Sequence, residues 1–166
     1  LGPPPAKREV GFRAITSTVR RNDASPVSRI KSCSYLDNIL ARLEAAEQDA
    51  DEALMLNTRG SLAGGSASNL FLVTGGALVT PSVESGVLAG ITRGVVLQLA
   101  TESGEAVQDR AVAPDELHRC REAFLTNTVI GVMPLAAVDG RPVGDGPPGP
   151  LTLRLMAAYE NELRQL

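Results

Sequence analysis

Lysine is rare in this chain, which draws attention to the two positions where it occurs. Of the 16 basic residues only two are lysines, Lys7 and Lys31, and the others are arginine. A lysine amine can lose its proton and form a covalent Schiff base with a carbonyl compound, whereas a guanidinium cannot. Lys7 lies in a polar N-terminal segment and Lys31 just precedes a predicted helix. Composition alone leaves two interpretations open for each of them, a solvated surface charge or a reactive amine.

Two short segments have the residue types of an anion-binding site. Gly90 precedes Ile91 and Thr92 at the predicted start of a helix, where free backbone N–H groups and the helix dipole favour a phosphate group. Thr126 and Thr128 alternate in a predicted strand, which places two hydroxyl groups on one face. Each segment also has an ordinary explanation, because threonine is a common N-cap residue and is frequent in half-buried strands.

The composition argues against several classes of function. The 166 residues carry a formal net charge of −3 and only 3% aromatic side chains, which argues against a nucleic-acid-binding surface. There is no membrane-length apolar run and no signal-peptide pattern at the start, so we expect a cytoplasmic protein without a membrane partner. The single histidine, His118, argues against a Ser-His-Asp triad and against a two-histidine metal site. Cys33 and Cys120 are too few for a disulfide framework or a zinc site, and we expect Cys33 to be a small core residue.

The hydrophobic periodicity predicts an α/β fold with a mixed, largely antiparallel sheet. Strands or short apolar runs are predicted at residues 10–19, 51–57, 69–73, 77–80, 123–128 and 132–138, and residues 74–76 are predicted to form a hairpin turn. Helices are predicted at residues 36–46, 92–102, 114–120 and 151–166, with Ser34 or Asp37 available to cap the first of them. The prolines at positions 3–5 predict an extended linker over residues 1–8, and residues 139–150 form a Gly/Pro-rich loop.

These segments also resemble one family, in order and in spacing, over nearly the whole chain. The sequence KSCSYLDN at residues 31–38 resembles the lysine segment of the class IV aminotransferases, pyridoxal-phosphate enzymes that include branched-chain and D-amino-acid aminotransferases and aminodeoxychorismate lyase. The resemblance continues at residues 41–45, 51–54, 68–71, 80–81, 90–93, 124–128, 138–140 and 149–152. It implies the C-terminal domain of the D-amino-acid aminotransferase-like fold, a pseudo-barrel with flanking helices. Residues 9–166 would form this cofactor domain, residues 1–8 an interdomain linker, and a smaller N-terminal domain would be absent from this chain.

The same resemblance implies a cofactor and the residues that hold it. Pyridoxal 5'-phosphate would be bound covalently to Lys31, the catalytic residue, in a homodimer that takes a small-molecule amino substrate. The family's phosphate-binding arginine lies in the N-terminal domain. No metal is implied. The cofactor-binding positions implied in this chain are Lys31, Tyr35, Gly65, Ser66, Ser68, Asn69, Ile91, Thr92 and Thr128.

One position departs from the family pattern. Residues 64–69, GGSASN, are small and polar, and they either let a flat ring lie close to the backbone or form a tight turn. The family pattern here is Glu-Gly-x-x-Ser-Asn, whose glutamate keeps the pyridine nitrogen protonated and makes the ring an electron sink. Gly64 stands at that position and has no carboxylate. Either another group or water contacts the nitrogen, or the chemistry needs a weaker sink, or activity has been lost.

The resemblance also suggests a reaction. The stretch 124–132 followed by Pro134, and the spacing from Lys31 to Tyr35, look more like the lyase branch than the branched-chain aminotransferases. The leading hypothesis is therefore an aminodeoxychorismate lyase, which releases pyruvate from 4-amino-4-deoxychorismate and leaves 4-aminobenzoate for folate synthesis. Elimination yields an aromatic ring, which reduces the demand on the electron sink. The alternatives are a class IV transaminase acting on branched-chain or D-amino acids, and a catalytically degenerate homologue.

Overall fold

The helices and strands are short, and turns rich in glycine and proline separate most of them. The computed structural model describes residues 5–146 and 148–165. The α-helices are α1 (Pro5–Val10), α2 (Leu36–Glu47), α3 (Ile91–Glu102), α4 (Glu116–Arg119) and α5 (Pro150–Gln165). The strands are β1 (Phe12–Arg21), β2 (Glu52–Asn57), β3 (Leu62–Gly65), β4 (Asn69–Thr74), β5 (Ala77–Pro81), β6 (Val107–Arg110), β7 (Glu122–Asn127), β8 (Gly131–Val138) and β9 (Arg141–Pro142). Two 3₁₀ turns lie at Pro26–Arg29 and Val83–Ser85.

The strands of the described residues form one mixed sheet that curls toward a barrel. Its order is β3-β2-β1-β8-β7-β4-β5-β6, with β9 paired to β8. The pairs β1–β2, β1–β8 and β5–β6 are parallel, and the other pairings of this sheet in the described residues are antiparallel. At the two ends of this order, Leu62 N in β3 donates to Val112 O, just after β6, at 2.8 Å. This bond connects the two edges, so the predicted mixed α/β pseudo-barrel is confirmed.

Successive side chains along a strand point to opposite faces of the sheet, so one set forms the interior core and the other packs against the outer helices. Leu70 and Leu72 of β4 point into the barrel core, whereas Phe71 points outward to the layer formed by α3 and α5. There the Phe71 ring stacks on Phe124 of β7, with 4.8 Å between ring centroids. The packing of α3 and α5 on the outer face of the sheet places the start of α3 beside the ends of β4 and β7.

Helix α2 has the predicted bounds but a different buried face. It packs Ala41 and Ala45 against β1 and β2, because small side chains let the helix approach the sheet closely. The larger apolar residues of the predicted periodic face are exposed instead, and they are Leu36, Ile39, Leu40 and Leu43. The predicted cap by Ser34 or Asp37 is wrong, since Tyr35 is the N-cap residue and its side chain makes no capping bond.

The structure corrects three further local predictions. Residues 5–8 are helical rather than extended, because proline is accepted in the first turn of a helix, while residues 1–4 of the predicted linker lie outside the described residues. Cys33 is exposed and is not a core residue. Thr128 lies in the turn after β7 rather than in the strand. Among the described helices, none is both long and apolar enough to cross a membrane.

Candidate functional site

Eight of the nine predicted site residues lie around one cavity. The cavity has a volume of about 230 Å³ and lies on the outer face of the sheet, beside the start of α3. The predicted residues that line it are Lys31, Tyr35, Gly65, Ser68, Asn69, Ile91, Thr92 and Thr128. Further lining residues were not predicted as ligands, among them Arg21, Leu88 and Asn127. Segments far apart in the sequence thus converge on a single concave site.

One end of the cavity carries groups that commonly bind anions. Gly90 is the N-cap residue of α3 and its extended backbone leaves the first turn of the helix open to the cavity. Thr92 is therefore the second helical residue, not the cap, and its buried Oγ1 lies 3.1 Å from the Tyr159 hydroxyl of α5. The Oγ1 atom of Thr126 is buried and has no hydrogen-bond partner among the described residues. Free N–H groups, the helix dipole and an unpartnered hydroxyl together favour a phosphate.

Asn69 fixes the loop that leads into α3. Its Nδ2 atom donates to Leu88 O at 2.9 Å, and its Oδ1 atom lies only 2.3 Å from where a Cβ atom on Gly90 would stand. The backbone angles of Gly90, φ −69° and ψ 144°, are open to any residue. Glycine is thus required here by the close approach of Asn69 and not by backbone strain.

This close contact predicts the effect of Gly90→Ala. The added methyl group displaces Asn69 and breaks its bond to Leu88, so we expect a loss of about 1–3 kcal/mol of stability, typical of overpacking, and weaker anion binding at the start of α3. The control is Gly94→Ala in the same helix, where a Cβ atom meets nothing within 4 Å. That control should gain up to about 1 kcal/mol from helix propensity. Thermal unfolding of both variants checks the prediction, and equal stability of the two would contradict it.

A buried carboxylate organises the loop at residues 65–68. Glu52 is 4% exposed and accepts hydrogen bonds from Ser66 N at 3.2 Å, from the Ser66 hydroxyl, and from the Ser68 hydroxyl at 2.9 Å. Ser66 O in turn accepts from the Tyr35 hydroxyl at 2.9 Å and from Asn38 Nδ2 at 2.5 Å. Ser66, the ninth predicted site residue, therefore faces Glu52 and does not line the cavity of about 230 Å³.

The two lysines have different surroundings. Lys7 in α1 forms an ion pair with Asp51, with Nζ 2.7 Å from Oδ1. Lys31 is exposed and lines both this cavity and an adjoining one of about 300 Å³. Within residues 5–146 and 148–165, no carboxylate forms an ion pair with Lys31. Lys31 is thus the lysine whose amine is available to a molecule in the cavity.

Arg21 is the site residue that the sequence reasoning missed. It lies at the end of β1 and lines both cavities with Lys31. Its Nη2 atom is 3.3 Å from Gly65 O, and its Nε atom is buried with no partner in the described part of the chain. Burial lowers the pKa of the Arg21 guanidinium and raises the pKa of the neighbouring Tyr35 phenol. In the sequence Arg20 and Arg21 are adjacent, and nothing in that pair of residues indicates which of the two side chains faces the cavity.

The two cysteines provide a direct check of burial, Cys33 near Lys31 in sequence and Cys120 in the barrel core. Cys33 is exposed, whereas Cys120 is buried, and burial raises the pKa of its thiol to about 11. Because the thiolate is the reactive form, a thiol reagent at about pH 8 should label Cys33 in the folded protein and leave Cys120 unmodified. Peptide mass mapping before and after unfolding measures this. Labelling of a Cys33→Ser variant in the folded state would show that the burial of Cys120 is wrong.

The sequence that forms this cavity matches one protein family. Residues 2–138 match the model of the family described as amino-transferase class IV. The chain belongs to this family. It is 40% identical over 157 residues to a probable branched-chain-amino-acid aminotransferase of Aquifex aeolicus, covering 93% of this chain and 50% of that protein. It is 37% identical over 134 residues to the D-alanine aminotransferase of Bacillus licheniformis, covering 81% of this chain and 47% of that protein.

A solved structure of a family member superimposes closely on this chain. The branched-chain amino acid aminotransferase of T.th., solved with pyridoxamine 5'-phosphate, has a TM-score of 0.90 and 36% sequence identity, over 95% of this chain and 52% of that one. This chain spans about half the length of the curated relatives it matches. The fold and the family predicted from the sequence are confirmed. The relatives named here are aminotransferases, which favours the transaminase alternative over the lyase.

Proposed function

We propose that the protein is a pyridoxal-phosphate-dependent class IV aminotransferase and that the cofactor binds in the cavity of about 230 Å³. The observation that carries this proposal is the meeting of Lys31 with the open first turn of α3 in one cavity. The relatives support it, since they are aminotransferases and one was solved with pyridoxamine 5'-phosphate.

The lining residues fit the chemical groups of this cofactor. Its phosphate is a dianion, which suits the N–H groups at Ile91 and Thr92 and the hydroxyls of Thr126 and Thr128. Its aldehyde requires an amine, which Lys31 provides. The small residues at 64–69 leave space for a flat ring against the backbone. Arg21 adds a second positive charge to a cavity that takes an anionic ligand.

Lys31 is the residue that moves protons. When bound, pyridoxal phosphate supplies an aldehyde that condenses with amines and a ring that withdraws electrons from the attached carbon. The Lys31 Nζ atom would hold the cofactor in the resting enzyme and, when free, would accept and return a proton as general base and acid. Its exposure to the cavity and its freedom from ion pairs within the described residues suit both roles.

A cavity with a mainly apolar wall lies beside the proposed cofactor site and supports an apolar amino acid as substrate, although the charged residues Arg42 and Glu52 also line it. It has a volume of about 570 Å³ and shares Tyr35, Ala67 and Asn127 with the first cavity. Its apolar walls come from Phe12, Ile39, Leu43, Val129 and Ile130. Branched-chain amino acids have side chains of this character. D-Amino acids are the other substrate class in this proposal. The proposed assembly is a homodimer.

A second candidate is the aminodeoxychorismate lyase predicted from the sequence. The absence of a carboxylate at Gly64 favours it, because formation of an aromatic product needs less electron withdrawal by the ring. Folate synthesis would then be the pathway served. The lyase and the transaminase use the same lysine and the same cavity, so they differ in substrate and not in the site.

The test is a visible absorption spectrum of the protein with added pyridoxal phosphate, followed by substrates. We expect a yellow protein whose spectrum changes when L-leucine or D-alanine is added, and 2-oxoglutarate should reverse the change. Release of 4-aminobenzoate from 4-amino-4-deoxychorismate, with no response to amino acids, would establish the lyase instead. A protein that stays colourless would show that the family fold here lacks the family chemistry.

A further inference from the structure

Within the described residues, the cavity is lined by two cations and by no carboxylate. The charged side chains are Arg21 and Lys31. Gly64 has a positive φ of +84°, and a Cβ atom there would lie 2.8 Å from Ser68 O, so this backbone does not accommodate an acidic side chain. Glu52, a buried carboxylate beside Gly65, lines a different cavity and already accepts hydrogen bonds from both serines of the loop.

Most polar side chains around the cavity are already committed to other groups. The side chains of Tyr35, Asn69 and Asn127 donate hydrogen bonds to backbone carbonyl groups, those of Ser66, Leu88 and Ala67 respectively. The Ser68 hydroxyl donates to Glu52, and the Thr92 hydroxyl is paired with that of Tyr159. Two of the residues that line the cavity each carry a buried polar atom with no partner in the described part of the chain, Thr126 with its Oγ1 and Arg21 with its Nε. Thr126 lies at the anion end, beside Thr128. Arg21 is therefore the uncommitted buried donor available to another part of a ligand.

Arg21 is in direct contact with neutral groups, and the carboxylates that act on its charge, Glu52 and Asp37, do so without forming an ion pair with it. Its nitrogen atoms lie 3.3 Å from Gly65 O, 3.5 Å from Gly86 O and 3.4 Å from the Met55 sulfur. These are long contacts to neutral groups, and no described carboxylate forms an ion pair with it. A guanidinium has five N–H donors and no acceptor. A ligand atom facing Arg21 must therefore be a hydrogen-bond acceptor.

We propose that Arg21 donates a hydrogen bond to the ring nitrogen of pyridoxal phosphate and keeps that nitrogen unprotonated. This inference rests on the proposed function, because it presumes that the cofactor binds in this cavity. With the phosphate at α3 and the aldehyde at Lys31, two acceptors of the ring remain, the 3-oxygen and the ring nitrogen. The 3-oxygen lies next to the aldehyde and therefore near Lys31, whereas the ring nitrogen lies across the ring from the aldehyde, and we assign it to Arg21. A protonated nitrogen would place a donor and a positive charge against a guanidinium, which both electrostatics and hydrogen bonding oppose.

An unprotonated nitrogen has a consequence for the reaction. A neutral pyridine ring withdraws fewer electrons than a pyridinium, so it stabilises less negative charge on the substrate carbon. We expect proton removal by Lys31 to be slower than with a protonated ring. Reactions whose product is itself stabilised would lose least. Arg21 would thus be a residue that selects among the reactions open to this site.

The experiment is nitrogen-15 NMR of the protein loaded with pyridoxal phosphate labelled at the ring nitrogen. We expect the wild-type signal to stay at the position of an unprotonated pyridine from mildly acidic to mildly basic pH. In Arg21→Glu a carboxylate replaces the guanidinium, so the signal should move upfield to the position of a pyridinium. In Arg21→Gln the charge is lost and the same upfield shift should appear as the pH is lowered. Arg20→Gln, which changes the exposed neighbouring arginine, should leave the wild-type signal unchanged.

The possible outcomes separate this inference from the proposed function. A pyridinium signal in the wild type overturns the role of Arg21 while the cofactor site stands. An unprotonated signal that does not change in either Arg21 variant shows that Arg21 is not the partner, and also overturns the inference. Failure of the wild type to bind the labelled cofactor overturns the proposed function itself. If Arg21→Glu does not fold, the wild-type signal and the Arg21→Gln titration still decide.

Discussion

Replacement of Lys31 by alanine should abolish covalent attachment of pyridoxal phosphate and lower turnover by roughly 10²–10⁴-fold, the range typical of removing a general acid–base group. The reason is that Lys31 is the amine that reaches the cavity, while Lys7 is held in an ion pair with Asp51. Borohydride reduction followed by peptide mass mapping measures the attachment. Because the chain has only two lysines, the mapping distinguishes a reduced cofactor adduct on Lys31 from one on Lys7.

The second lysine is the matched control. Lys7→Ala removes an amine and the Asp51 ion pair but changes no residue that lines the cavity. It should keep the yellow colour and the adduct on Lys31, and lose at most about 1 kcal/mol of stability, the usual value of a partly exposed ion pair. An adduct on Lys7, or an adduct that persists in Lys31→Ala, would show that the assignment of the reactive lysine is wrong.

Local sequence patterns were sufficient to predict the start of α3 and the strand that carries Thr126. The Gly90–Thr92 helix start, the Thr126 strand and the hairpin at residues 74–76 each depend on neighbours within a few positions. The scarcity of lysine had left Lys7 and Lys31 as candidates, and the family resemblance selected Lys31 and assigned the loop at residues 65–68 to the cofactor. Short-range rules of capping and alternation therefore placed the elements, and the curled sheet brought their ends together. The cofactor role predicted for Ser66 stays a prediction, and the contact of its hydroxyl with Glu52 could not be predicted because it joins segments 14 residues apart.

The contacts that the sequence did not predict are long-range or depend on irregular backbone. The register of β1 against β2 shifts between Thr16 and Arg20, so simple alternation no longer gives the face on which Arg21 lies. Arg21 meets Gly65 across 44 residues of sequence. The α1 helix was missed because three consecutive prolines favour an extended chain, yet the last of them fits the first turn of a helix. Cys33 was placed in the core on residue type alone.

Replacement of Glu52 by alanine should cost about 2–4 kcal/mol of stability and also weaken cofactor binding. The change leaves Ser66 N and the hydroxyls of Ser66 and Ser68 without their acceptor in a buried place. Because Ser68 and Gly65 line the cavity, release of this loop disturbs the wall of the site. Denaturant unfolding measures the first effect, and titration with pyridoxal phosphate below the unfolding transition measures the second.

Glu122 is the control that separates these two effects. It is 8% exposed and, like Glu52, accepts several hydrogen bonds, from Leu151 N at 3.2 Å, Thr152 N at 2.7 Å and the Thr152 hydroxyl at 2.8 Å. Neither Glu122 nor its partners Leu151 and Thr152 line the cavity within the described part of the chain. Glu122→Ala should therefore lose comparable stability and keep the cofactor affinity of the wild type. If both variants bind the cofactor equally well, Glu52 stabilises the fold but does not shape the site, and the loop it holds would not be part of the binding wall.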